Sequence, residues 1–278
     1  MPKPEDCFFV AFDKTPIHYR VHETPGERRA SLLLVHGAGE YPGRYDEFAA
    51  FLTRRGIAVY ALGLRGHGKS GGERAYVRDF SDFTKDVLAL AAKIRGDSPR
   101  PVFMLGHSMG GLIAACAAAE AGTDLRGVVL SSPFFGLALE LPSYLKTIAA
   151  ITARIYPKFT HATTVPSDVL THDAEAVRRH RADPEITRVV TSGLFANMLR
   201  ASDRYAQIAG SIRCAMLIAQ AGEDRVVDAA HSKRFFDAVA SPDKQFKLYD
   251  GLYHEVLNET SRQTVYDDIL HWIEKRLS

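Results

Sequence analysis

The amino-acid sequence predicts an α/β fold: a mostly parallel central sheet with helices on both faces and an inserted helical cap. Three observations carry this. Between Ser31 and Leu130, short apolar runs of the kind shown by strands covered on both faces alternate with stretches of helical periodicity. The alternation then lapses for roughly seventy residues, which is too long for an ordinary loop. It resumes at Ala215 and continues to the last helix. The expected core is therefore residues 1–133 and 205–278, with residues 134–204 as the cap.

The chain opens on a hairpin, residues 8–12 and 17–21, about a turn at Asp13-Lys14-Thr15-Pro16. A polar break at residues 24–28 leads into the first buried strand, residues 31–35, and then into His36-Gly37-Ala38-Gly39. Phe48, Phe51 and Leu52 recur at helical spacing until Gly56 closes the helix. Residues 57–62 form the next strand, and Phe80, Phe83, Val87, Leu90 and Ile94 mark the helix after it. An apolar run at residues 102–105 and an Ala-rich run at 112–119 flank a glycine-rich turn, followed by a strand at 127–130. Beyond the insertion come a strand at 215–219, a helix about 229–239, a strand at 246–249 and an amphipathic helix at 262–277.

A composition of 46% hydrophobic and 24% charged residues suits a globular protein with a sizeable core. Lys and Arg number 35 against 33 Asp and Glu, and they are dispersed, so no nucleic-acid partner is expected. Cys7, Cys116 and Cys214 are far apart and lack metal-ligand spacing, so neither a metal nor a disulfide framework is expected. The first residues hold acids and prolines where a signal peptide needs an apolar stretch, and no run of about 18 apolar residues occurs. A cytoplasmic protein follows as the expectation.

Gly106-His107-Ser108-Met109-Gly110 fits the G-x-S-x-G nucleophile elbow, bracketed by a buried strand and a helix as that motif requires. A Cβ at 106 or 110 would obstruct so sharp a turn, and strain at its tip holds the Ser108 hydroxyl out at the positive end of the helix. A serine hydroxyl needs a base, and the base needs a third group to orient it. In an α/β-hydrolase fold the order along the chain is Ser, Asp or Glu, then His. His254 follows the strand at 246–249 and precedes the last helix, where such an imidazole must lie. Among the other histidines, His161, His172 and His180 fall in the charged cap, His231 and His271 fall on helices, and His107 faces away from the hydroxyl. For the acid, the loop after the strand at 215–219 offers Glu223, Asp224 and Asp228. Asp224 stands at its apex, Glu223 is the nearest rival, and Asp228 suits an N-cap for the helix at 229. Backbone donors for an oxyanion are expected from Met109 and from Ala38, whose flanking Gly37 and Gly39 let the chain approach a substrate carbonyl.

In these stretches the sequence resembles the monoacylglycerol lipase and lysophospholipase group of α/β-hydrolases. The matching segments are His36-Gly-Ala-Gly-Glu-Tyr-Pro-Gly-Arg-Tyr45, Leu64-Arg-Gly-His-Gly-Lys-Ser-Gly-Gly72 and Gly106-His-Ser-Met-Gly-Gly111, joined by Leu170-Thr-His-Asp173, Ala182-Asp-Pro184, Gly222-Glu-Asp224 and Tyr253-His254. The resemblance implies Ser108, Asp224 and His254 as the catalytic triad, Ala38 and Met109 as oxyanion donors, and no cofactor. Two positions depart from the group: Gly63 where aspartate is usual and Tyr41 where histidine is frequent, both expected near the mouth of the site.

Within the insertion Leu137, Leu141, Tyr144, Leu145, Ile148, Ile151 and Ile155 repeat every three or four residues, an apolar helical face. Gly37, Tyr41, Leu137, Leu141, Leu145 and Ile148 are the expected substrate-binding positions. The expected reaction is hydrolysis of single-chain lipid esters through an acyl-enzyme, with transient contact between the cap and a membrane or lipid aggregate. The same parts suit a carboxylesterase for small esters, a carbon–carbon bond hydrolase or other non-lipid acyl hydrolase, or an acyltransferase. Serine at the elbow excludes the dehalogenases and epoxide hydrolases, which carry aspartate there, and an intact triad argues against a mere binding protein.

Overall fold

A computed structural model describes residues 3–122, 124–138, 151–162 and 165–277. Its strands in chain order are β1 (Glu5–Val10), β2 (Pro16–His22), β3 (Ala30–Val35), β4 (Ile57–Leu62), β5 (Val102–His107), β6 (Gly127–Ser131), β7 (Thr160–Ala162), β8 (Val189–Thr191), β9 (Ala215–Ala221) and β10 (Lys244–Tyr249). The helices are α1 (Asp46–Thr53), α2 (Ser81–Asp97), α3 (Met109–Ala121), α4 (Ala174–Ala182), α5 (Ser192–Ser202), α6 (Tyr205–Ser211), α7 (Ala229–Ala238) and α8 (Arg262–Glu274). Eight strands form the main sheet in the order β1-β2-β4-β3-β5-β6-β9-β10. The opening hairpin pairs antiparallel within itself and with β4, and every later pair is parallel.

The central strands β3, β4, β5, β6 and β9 are covered on both faces, and that is why they read as apolar runs, whereas the edge strands β1 and β10 are partly exposed and carry charge. Leu32, Leu34, Phe103, Leu105 and Leu217 pack against Phe48 and Leu52 of α1 and Ile269, Trp272 and Ile273 of α8. The alternate residues Leu33, Val35, Met104, Val128 and Ile218 meet Phe83 and Leu90 of α2, Leu112 of α3 and Phe235 of α7. Helix α3 is enclosed on nearly every side, so its alanines are packing residues.

The insertion is not wholly helical. Besides α4 and α5 it holds an antiparallel pair, β7 with β8, in which Thr160 opposes Thr191. The β-branched run Val189-Val190-Thr191 favours a strand, and its three residues are too few to register as periodicity. Helix α5 sends Leu194 and Met198 into the main core, so part of the insertion is anchored there. Of the apolar stripe, Leu137 bridges Val227. Leu141, Tyr144, Leu145 and Ile148 lie outside the described residues.

Parallel strands all end on one edge of the sheet. The loops after β3, β5, β9 and β10 therefore converge there, at the usual ligand site of an open α/β sheet.

Candidate active site

The turn after β5 has the strain its glycines foreshadow. Ser108 holds φ 54° and ψ −120°, a left-handed conformation that is rare for a residue with a side chain. Its amide donates to the Ser131 carbonyl (3.0 Å), and its own carbonyl accepts from Gly111, Leu112 and Phe134. A Cβ on Gly106 would overlap the Gly110 carbonyl, and one on Gly110 would overlap the carbonyls of Val35 and His36. The hydroxyl-bearing tip stays partly exposed while both flanks are buried.

His254 and Asp224 meet at the end of β9 and β10. His254 Nδ1 donates to Asp224 Oδ2 at 2.8 Å, and Asp224 Oδ1 accepts from the amides of Val226 and Val227 at 2.8 and 2.9 Å. Both side chains are buried. An ionised carboxylate only accepts, so the proton sits on Nδ1 and Nε2 keeps its lone pair. Burial alone would lower the His254 pKa, yet the Asp224 charge and hydrogen bond, with Glu255 and Glu40 behind, raise it above 6.5. Burial likewise works to raise Asp224, and His254 with the two amides brings it below the usual carboxylate value. Glu223, the rival acid, is exposed. Asp228 caps α7 by accepting from Ala230 N. The ring of His107 lies 4.8 Å from that of His254, with Nδ1 turned to the Ser131 carbonyl at 3.1 Å. It forms a wall beside His254, and burial holds its imidazole down near 4, hence neutral.

The loop after β3 is tied from below. Gly37 N donates to Glu40 Oε2 (2.6 Å), as does the Tyr45 hydroxyl (2.8 Å), and Arg44 pairs with Glu40 Oε1. A Cβ on Gly37 would stand 2.8 Å from that carboxylate and 3.3 Å from Ser108 Cβ, which puts the loop in contact with the elbow. Burial works to raise Glu40, but Arg44 and neighbouring histidines bring it to about 2, so it is ionised. Ala38 is exposed at the loop tip, and its amide has no protein acceptor among the described residues. Met109 is the first residue of α3, where an amide has no intrahelical partner.

Three carboxylates with positioning contacts have only weak signals in the sequence. Glu40 and Arg44 are spaced i,i+4, and Glu255 and Glu259 follow His254 closely. Glu259 is fully buried and accepts from Tyr253 N, Thr260 N, and both N and Nδ1 of His172, which stacks on Tyr253. Gly63 directly follows β4 and packs beside β2, where a Cβ would stand 3.1 Å from Ser70 Oγ and 3.2 Å from the His18 carbonyl oxygen. Tyr41 spends its hydroxyl on Asp183 Oδ2 (2.6 Å).

A nucleophile elbow, a buried His–Asp pair and two unengaged amides on one sheet edge are the parts of an acyl-transfer site. Comparison with known proteins agrees. A family model described as serine aminopeptidase S33 matches residues 26–261. The chain belongs to that hydrolase family. Within it, a monoacylglycerol lipase of Mycolicibacterium smegmatis is 33% identical over 97% of this chain and 96% of its own. A monoglyceride lipase of Rattus norvegicus is 34% identical over 93% of this chain and 87% of its own. The crystal structure of Paleococcus ferrophilus monoacylglycerol lipase superposes with a TM-score of 0.83 at 26% identity, covering 94% of this chain and 99% of that one. The fold is thus the α/β-hydrolase fold of this family.

Proposed function

We propose that the protein hydrolyses carboxylic esters of single-chain lipids, monoacylglycerols foremost, through a covalent acyl-enzyme. The observation that carries this reading is the His254–Asp224 hydrogen bond at the same sheet edge as the strained Ser108. Ser108 Oγ attacks the ester carbonyl carbon while His254 Nε2 takes the hydroxyl proton. Negative charge passes to the carbonyl oxygen, where the amides of Ala38 and Met109 receive it, each worth ~10²–10³ in rate. Asp224 holds the imidazole in its tautomer and stabilises the cation. His254 returns the proton to the departing alcohol oxygen as the tetrahedral intermediate collapses, leaving the acyl group on Ser108. Water then repeats the cycle: His254 takes its proton, its oxygen adds to the acyl carbon, and reprotonation of Ser108 Oγ frees the fatty acid.

In this reading residues 134–204 are the cap over the site. Ile151, Ile155, Tyr156 and Phe159 are all exposed there, an apolar surface suited to an acyl chain or to peripheral contact with lipid aggregates. Each methylene buried against such a surface is worth about 0.8 kcal/mol. No helix among the described residues is long and apolar enough to cross a membrane.

Hydrolysis of a p-nitrophenyl ester series is expected to quicken with acyl length and to vanish in Ser108→Ala, along with labelling by a fluorophosphonate. A preference for acetate over decanoate would sink the lipid assignment and spare the triad. Turnover by Ser108→Ala would sink both.

A further inference from the structure

Two contacts join the insertion to the loop that carries Ala38. Thr187 N donates to the Gly39 carbonyl at 2.8 Å, and the Tyr41 hydroxyl donates to Asp183 Oδ2 at 2.6 Å. They hold residues 39 and 41 to the insertion, while Glu40 ties the same loop to itself through Gly37 N. Gly39 has φ +78°, and a Cβ there would stand 2.6 Å from the Thr187 carbonyl oxygen. Its missing side chain therefore makes room for the insertion. The Tyr41 ring has little freedom: a Cβ on Gly43 would lie 2.5 Å from its Cε2, and one on Gly68 3.0 Å from its Cβ. Asp183 is fixed as well, its other oxygen accepting from Glu185 N at 2.9 Å. The Tyr41 oxygen, which a substrate-binding role would leave free, is thus committed to the insertion.

We infer that Tyr41 is a positioning residue: with Asp183 and Thr187 it latches the insertion onto the 37–41 loop and sets where the Ala38 amide points. The inference rests on the proposed oxyanion role of Ala38. A donor that stabilises developing charge works only when held at its place before the reaction, because reorganising it during the step costs the benefit. The Tyr41 hydroxyl stays a neutral donor, since burial and the Asp183 carboxylate push its pKa well above 10.

The test pairs kinetics with a boronic acid. Ser108 Oγ adds to the boron of phenylboronic acid as its proton passes to His254 Nε2, giving a tetrahedral anion with an oxygen where the oxyanion would stand. Removing the latch with Tyr41→Phe is expected to cut kcat/KM for a p-nitrophenyl ester about tenfold and weaken phenylboronic acid by the same factor, with KM nearly unchanged. Asp183→Ala should match it, and the double variant should lose no more than the larger single loss. A Tyr41→Phe enzyme with normal kcat/KM and normal boronate affinity overturns the latch alone. So does a loss confined to KM, which would put Tyr41 on the substrate, or a lower melting temperature with boronate affinity intact. Wild-type protein that binds no boronate, with Ser108→Ala still active, overturns the underlying reading as well.

Discussion

Arg44 grips Glu255, the neighbour of His254, through two hydrogen bonds of 2.8 and 2.7 Å, and the same guanidinium pairs with Glu40 beside Ala38. All three side chains are buried. One cation thus spans the loop of Ala38, the proposed oxyanion donor, and the loop of His254, the proposed base. Two carboxylates against one guanidinium also leave a net negative charge near His254, and Glu255 and Glu40 both contribute to its raised pKa.

Arg44→Met should cost about 3–5 kcal/mol of stability at neutral pH, because it leaves two buried carboxylates without their cation. The pH dependence supplies the sharper check. In the wild type the Glu40 pKa is lowered from 4.5 to about 2, so its share of stability is present above 4.5 and lost as pH falls toward 2. Without Arg44, burial dominates and raises the carboxyls above their unfolded values. The variant should then gain stability relative to wild type as pH falls from about 7 to 5. Urea titrations at several pH values read this directly, and parallel curves for the two proteins would contradict the clamp.

With His254 as the proposed base, activity should fall in acid with a midpoint above 6.5, since the imidazole must be neutral to accept the serine proton and its pKa is raised. Asp224→Asn keeps the shape of the pair and removes the charge. It should lower kcat by about 10⁴, through loss of the tautomer and of cation stabilisation. It should also move the acid limb to lower pH, because burial then acts on His254 without the Asp224 charge to oppose it. A kcat/KM profile for each protein decides the matter. An acid limb unmoved by the substitution would assign it to another group.

What was legible in the sequence follows from how far apart the interacting residues lie along it. The buried strands could be read because both parities had to be apolar, and Gly106 and Gly110 because a turn that tight excludes Cβ atoms locally. The preference for Asp224 over Asp228 rested on a local capping rule, and the structure has Asp228 as that cap. Arg44 and Glu255 are 211 positions apart, and no pattern in the chain announces their pairing. Gly39 illustrates a cause misread: room for a substrate was the expectation, and the Thr187 carbonyl occupies it. The β7–β8 pair escaped notice because its three-residue strands are interleaved with charged and helical segments.

Glu259→Gln should damage catalysis from outside the site. The buried carboxylate accepts three backbone N–H groups and the His172 ring, two partners at each oxygen. An amide therefore turns its NH₂ either against His172 N and Thr260 N or against Tyr253 N, the imidazole alone being able to change tautomer and accept. Each orphaned donor costs about 1–3 kcal/mol. Because the same carboxylate holds Tyr253 N, which precedes His254, either loss loosens the base loop, and kcat should fall along with the melting temperature. His172→Ala removes only the ring donor and should be milder on both counts. Equal effects from the two variants would deny Glu259 its part in holding the base loop.

Two glycine substitutions should separate steric necessity from mere chain freedom. At Gly110 an added methyl would overlap the carbonyls of Val35 and His36, which belong to a central strand and the loop after it and cannot retreat without moving Ala38. Overpacking of this kind costs about 1–3 kcal/mol or more, and here it would also displace the elbow. Gly110→Ala is therefore expected to lose both stability and fluorophosphonate labelling. Gly96, in the last turn of α2, has open space on the side where a methyl would go, with nothing within 4 Å of it. Gly96→Ala should stabilise by about 0.4–1 kcal/mol, through reduced freedom of the unfolded chain, and leave labelling untouched. Paired thermal melts and labelling rates measure both. A Gly110→Ala protein labelled at the wild-type rate would mean that the tight approach of strand to elbow is not what holds Ser108 in place.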